Sequence, residues 1–206
     1  KRDIISPDNL DDKWITAWVK KRNPEIILSF WSSFIFREDL IDIPPRGIVN
    51  LHNSLLPHCR GSGANIWTIL EDKPGGVTLH YISPEIDKGS IIEQRKLPVH
   101  SWDTGKSLYY RQQDAMIELF EDKWSEIRVG PVETRRQEGN GSFHYYNEAD
   151  QLRELDLDEE FTVRELIDRL RAFSFSPYNG CYFVDSNGNE VNIHVELNRG
   201  ISTRKD

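Results

Sequence analysis

Residues 47–67, GIVNLHNSLLPHCRGSGANIW, start as an apolar strand, end on a helical pattern and crowd polar chemistry between the two. Ile48, Val49 and Leu51 form a short run of the type found in parallel strands buried on both faces. Asn50 and His52 lie two apart at its end, so their side chains point to one side of a sheet. In open α/β sheets ligands bind at the carboxyl ends of strands, which makes the pair candidates for a site. A neutral imidazole, with a pKa of about 6.5, can take a proton from an attacking amine, and an amide NH₂ can donate to a developing oxyanion. Together they suit acyl transfer to nitrogen.

Working outward, residues 11–22 (DDKWITAWVKKR) put Trp14, Ile15, Trp18 and Val19 at helical spacing behind an acidic start. In NPEIILSFW, Pro24 blocks that helix and Ile26, Ile27 and Leu28 form another buried strand. Downstream, GANIWTILED reads as a helix, GGVTLHYIS as a strand and SIIEQRKLPV as a strand nearer an edge. Residues 103–128 are the longest helical pattern, with Leu108, Met116, Leu119, Phe120 and Trp124 for its inner face, and Gly130 and Pro131 end it. This alternation predicts an α/β fold, a Rossmann-like, mostly parallel sheet with flanking helices, over residues 1–130.

From residue 131 the composition turns polar and irregular, and PVETRRQEGNGSFHYYNEAD reads as a connector. TVRELIDRLRAF is an amphipathic helix, preceded by the solvated acidic run ELDLDEE and capped near Thr162. GCYFVDSNGNEVNIHVEL is a β-hairpin signal around Asn187, Gly188 and Asn189. A lone hairpin is marginal in water, so the 131–206 region is expected to pack on the main domain or on another chain.

The chain of 206 residues carries a formal charge of −8, which disfavours broad attraction to nucleic acid. Neither a membrane-length apolar run nor a signal-peptide core is present in the sequence, and a cytoplasmic location is expected. Cys59 and Cys181 form no C-x-x-C pair and read as reduced thiols. The histidines and cysteines supply no zinc-type spacing, so no metal site is expected. Ser54 sits in no nucleophile elbow and reads as a loop hydrogen-bonder. His80 reads as a packing or supporting residue, and Arg60 and Lys73 as either phosphate contacts or solvated surface. Asp87, in SPEIDKGSII between two strands, is a weak turn signal alone and gains weight beside Asn50 and His52.

NLHNSLLPHCRG followed by GVTLHYISPEIDKG resembles the folate-dependent formyltransferase family over roughly residues 24–97. The shared features are an Asn-x-His pair, Ser-Leu-Leu-Pro, a following Gly, and Asp-x-Gly after a Gly-Val-Thr-x-His strand. The resemblance implies formyl transfer from N10-formyltetrahydrofolate to an amine. It assigns Asn50 to the oxyanion, His52 to general base and Asp87 to holding His52 and assisting proton transfer to the folate nitrogen. RGSGANIWTI, GSFHYY and RAFSFSPYNGCYF look more like the branch acting on nucleotide-linked amino sugars, with Asn65 and Trp67 facing the acceptor and a homodimer formed through the tail. By the same analogy Phe30, Trp31, Ser32 and Phe34 contact the pterin from one side, and Ser83, Glu85 and Ile86 from the other. The family has more α/β structure before residue 25 than this chain, which begins with Lys1, so an N-terminal truncation is expected. The rival readings are methionyl-tRNA formylation, deformylation of the folate, or a fragment that binds ligand without turnover.

Overall fold

The computed structural model describes residues 12–32, 34–145 and 147–200. The chain opens with α1 (Asp12–Arg22), β1 (Ile27–Ser29), the short α2 (Glu38–Ile41) and β2 (Ile48–His52). β3 (Arg60–Gly61), α3 (Ala64–Leu70), β4 (Gly75–Tyr81), β5 (Ile91–Leu97) and the long α4 (Gly105–Val129) follow. The last part contains β6 (Phe143–His144), α5 (Glu148–Gln151), α6 (Val163–Phe173) and the hairpin β7 (Cys181–Val184) and β8 (Glu190–Ile193).

The main sheet has the order β1-β2-β4-β5. β1 runs parallel to β2, whereas β2–β4 and β4–β5 are antiparallel. The α/β class with flanking helices holds, and the sheet is mixed among the described residues. Its parallel character there is confined to β1–β2, because residues 53–74 carry α3 but reverse direction without a crossover, and β4 and β5 are joined as a hairpin.

Alternation along the central strands divides the sheet into two working faces. Val49 and Leu51 of β2 and Val77 and Leu79 of β4 pack with Ala115, Met116 and Leu119 of α4 in the principal core. Asn50 and His52, and opposite them His80 and Thr78, occupy the other face. α4 is fixed at both ends. Thr104 and Ser107 form a capping box at its N-terminus, and Arg46 donates to the carbonyls of Ile127 and Gly130 at its C-terminus.

The connector read from residues 131–150 is more ordered than its composition suggests. Arg135 exchanges two backbone bonds with Ile91, and β6 pairs in parallel with β3. Backbone pairing needs no apolar side-chain pattern, so composition does not betray it. Beyond it, Ala172, Phe173 and Cys181 join Ile69 and Leu108 in a second core, which seats α6 and the hairpin against α3 and the start of α4. Cys59 and Cys181 are buried and unbridged; burial raises both thiols, Cys181 to about 11, so both are neutral.

Leu79 is fully buried beneath α4. Leu79→Ala is expected to cost about 2–5 kcal/mol in denaturant unfolding, whereas Val129→Ala changes it by about 0.5 kcal/mol or less, since Val129 is 76% exposed.

Candidate active site

The polar face of the sheet is organised by hydrogen bonds whose partners leave little choice. His80 is almost wholly buried, and its Nδ1 lies 2.9 Å from the carbonyl oxygen of Tyr81. A carbonyl only accepts, so Nδ1 carries the proton and Nε2 a lone pair. Asn50 Nδ2 lies 3.2 Å from that Nε2, which makes the amide NH₂ the donor and fixes which way the amide faces. One N–H of Asn50 is held by His80, and the other is free to donate to a ligand. Burial, assisted by His52, lowers the His80 pKa to about 4 against the opposing pull of Asp87, so the ring is neutral near pH 7.

The same reasoning applies to His52. Its Nε2 lies 3.0 Å from the Cys59 carbonyl oxygen and donates to it, so in the neutral ring the lone pair lies on Nδ1. Nδ1 faces Asp87 Oδ2 at 3.5 Å, and Asp87 Oδ1 lies 3.7 Å from His80 Nε2. Cys59 thus aims the imidazole, and Asp87 stands beside its basic nitrogen. The Gly61 N–H donates to Asp87 Oδ2 at 2.9 Å.

Cys59 and Gly61 belong to one short segment, and β6 holds that segment in place. Arg60 N–H donates to Ser142 O and Ser62 N–H to His144 O, each at 3.0 Å, and Cys59 N–H donates to Ser142 Oγ at 2.9 Å. Gly61 has φ +85°, and a Cβ there would stand 2.2 Å from the His144 carbonyl oxygen, so only glycine fits. Ser54 donates to His58 O at 2.6 Å, within the loop as its sequence context suggests.

The other residues named from the sequence divide into open and occupied groups. Trp31 and Ile86 are 55% and 42% exposed and offer apolar surface; Ser32 is exposed as well, its hydroxyl accepting from Phe34 N–H. Phe30 packs edge-on against Phe120, and Phe34 against Phe36 beside the α1–α2 cluster. Ser83 donates to Glu85 O, and Glu85 pairs with Lys88, so both shape the Asp87 loop. Asn65 is buried and donates to Gly105 O, and Trp67 stacks on His144 with ring centroids 3.6 Å apart. These two bind α3 to α4 and to β6.

A cleft of about 750 Å³ opens beside the Asp87 loop. Arg60, Lys88 and Arg136 line it together with Gln137 and Asn140, and among the described residues no carboxylate does. Lys73 lies elsewhere. Among the described residues no group of His, Cys, Asp and Glu is placed to hold a metal ion, and no helix is long and apolar enough to cross a membrane.

Sequence reasoning did not foresee the Cys59 carbonyl, the Gly61 N–H or the connector's part in placing them. Backbone groups leave no mark in a residue pattern. His80 was legible as a supporting residue, and its position opposite Asn50 in the β2–β4 register supplies its purpose.

The Formyl transferase family matches residues 2–122 and the N-formyltransferase dimerization C-terminal domain matches residues 148–199, so the chain belongs to the formyl transferase family. Over 175 residues it is 33% identical to the dTDP-4-amino-4,6-dideoxyglucose formyltransferase of Mycobacterium bovis, covering 84% of this chain and 73% of that one. The fold superimposes on a 4-N formyltransferase from Francisella tularensis with a TM-score of 0.86, at 29% identity and over 92% of this chain and 77% of that one. It also resembles an N-formyltransferase from Helicobacter canadensis crystallised with folinic acid and dTDP-3-aminofucose, with a TM-score of 0.64, 26% identity and coverage of 74% and 56%.

His80 makes stability pH-dependent in a defined direction. The unfolded ring takes up a proton below its ordinary pKa of 6.5, whereas the folded ring stays neutral down to about 4. Its contribution is therefore complete above pH 6.5 and is lost as the pH falls to about 4. Urea midpoints between about pH 7.5 and pH 5 should fall more steeply for the native chain than for His80→Gln.

Proposed function

We propose that the protein transfers a formyl group from N10-formyltetrahydrofolate to the amine of a nucleotide-linked amino sugar. The observation that carries this reading is the meeting of Asn50, His52 and Asp87 on one sheet face, with the basic Nδ1 of His52 turned to the carboxylate of Asp87. The Mycobacterium bovis relative is named for a dTDP-linked amino sugar, and the Helicobacter canadensis one was crystallised with another.

The free N–H of Asn50 donates to the formyl oxygen as the amine adds to the formyl carbon and negative charge gathers there. His52 Nδ1 accepts the proton released by the amine, while the Cys59 carbonyl keeps the ring from turning away. Asp87 stabilises the imidazolium and relays the proton to the folate nitrogen, which leaves as its bond to the formyl carbon breaks. The new carbon–nitrogen bond replaces the old one, and no proton is gained or lost overall. Trp31 and Ile86, with Ser32, are the exposed groups suited to flank the donor's ring.

The cleft suits the acceptor's anionic part. Arg60 brings a half-buried guanidinium whose Nε has no partner, and Arg136 adds charge of the same sign in a chain that is acidic overall, while Lys88 at the rim is paired with Glu85. We read residues 1–130 as the catalytic domain and 131–206 as a linker with a small C-terminal unit. Exposed Val163 and Ile167 on α6 and Val191 on β8 provide apolar surface for a homodimer. A cytoplasmic location is part of the same reading.

Turnover with formyl donor and a panel of nucleotide-linked amino sugars, methionyl-tRNA or water tests the proposal directly. Product with an amino sugar alone is expected; donor binding without product from any acceptor would leave only a ligand-binding fragment. Asn50→Ala, His52→Ala and Asp87→Ala should each lower kcat/KM by about 10²-fold or more. Arg60→Ala should raise the acceptor KM about tenfold with little change in kcat.

A further inference from the structure

Because β4 runs antiparallel to β2, the chain leaves it beside Ile48, at the opposite end of β2 from His52, with Ile82 N–H donating to Ile48 O. Residues 82–90 must turn back over the sheet to bring Asp87 to His52. The base of the loop is closed by Tyr81 N–H on Ser90 O, so tightly that a Cβ on Gly89 would lie 1.7 Å from the Tyr81 carbonyl oxygen. At its far end Asp87 adopts φ +53°, a left-handed conformation that aspartate takes more readily than most other non-glycine residues.

Gly61 holds the Asp87 carboxylate; another group holds the backbone. Gln137 Nε2 lies 2.7 Å from the Asp87 carbonyl oxygen and 2.9 Å from that of Gly89. Both partners only accept, so the NH₂ faces them and its two hydrogens bridge the turn. Gln137 is itself anchored. Two residues earlier, Arg135 is pinned to Ile91 by bonds of 2.8 and 2.9 Å, and Gly141 sits so close to Pro57 that a Cβ would lie 1.7 Å from its carbonyl oxygen.

We propose that Gln137 is a positioning residue for the transfer, setting the backbone of the Asp87 turn so that the carboxylate meets His52. The inference rests on the reading of Asp87 as a participant in the reaction. Gln137→Met removes both donors at similar volume, and Gln137→Lys restores donation to the two carbonyls through its ammonium group.

In steady-state assays Gln137→Met should lower kcat about tenfold or more, with the KM of the donor changed by about twofold or less. The acid limb of its kcat–pH profile should move, because the carboxylate beside His52 is displaced. Gln137→Lys should recover most of kcat. An unchanged kcat in Gln137→Met overturns the proposal. So does a loss that Gln137→Lys does not repair, with a lowered thermal midpoint and an unmoved pH profile, since that marks simple destabilisation. Asp87→Ala assayed in parallel separates the two claims. If it is active, the role of Asp87 itself fails; if it is inactive while Gln137→Met is fully active, only the role of Gln137 does.

Discussion

The two-residue period of β2 and β4 is the constraint on which the rest depends. In each strand alternate positions are apolar and meet α4, while the intervening positions carry Asn50, His52, Thr78 and His80 to the opposite face. A slip of one residue in the β2–β4 register would turn one strand over against the other: with β2 turned, Asn50 and His52 would face Leu119 and Met116, and Val49 and Leu51 would leave the core. The hydrophobic core therefore selects the register that assembles the site. Stability and chemistry are fixed by a single pairing.

On the polar face, the protons are assigned by carbonyls. Tyr81 and Cys59 each offer an oxygen that can only accept, and each thereby determines which ring nitrogen of a neighbouring histidine keeps its lone pair. The two histidines emerge in opposite tautomers. His80 presents a bare Nε2 that orients Asn50, and His52 presents a bare Nδ1 toward Asp87. Two residues of one chemical type thus present opposite ring nitrogens, one to Asn50 and one to Asp87, which suits them to different tasks.

Much of this was legible in the sequence, for reasons that differ by element. The helices 12–22 and 105–129 and the hairpin announced themselves through apolar spacing and turn residues, which depend on local sequence alone. Asn50 and His52 could be paired because a strand's period is two, and Asp87 joined them through its motif context. The direction of β4 was not legible, since an apolar strand looks alike whichever way it runs. The connector escaped for a related reason: its bonds to Arg60, Ser62 and Ile91 are made by main-chain atoms in a segment without apolar pattern. Asn65 and Trp67, singled out for the acceptor, hold α3 to its neighbours through bonds that no local pattern reveals.

Cys59 adopts φ +52°, and its carbonyl oxygen sets the tautomer of His52. That influence resides in an atom every residue type possesses. Substituting position 59 one side chain at a time would grade each replacement by how it fills a buried site and tolerates a left-handed backbone, and the carbonyl would persist throughout. Residue-by-residue mutational maps of this protein will therefore record position 59 as a matter of fit. Exchanging the 59–60 amide for an ester weakens that acceptor without altering a side chain; because it also removes the Arg60 N–H that donates to Ser142 O, a matching loss of the Ser142 acceptor alone is the control that brings the carbonyl's chemistry into view.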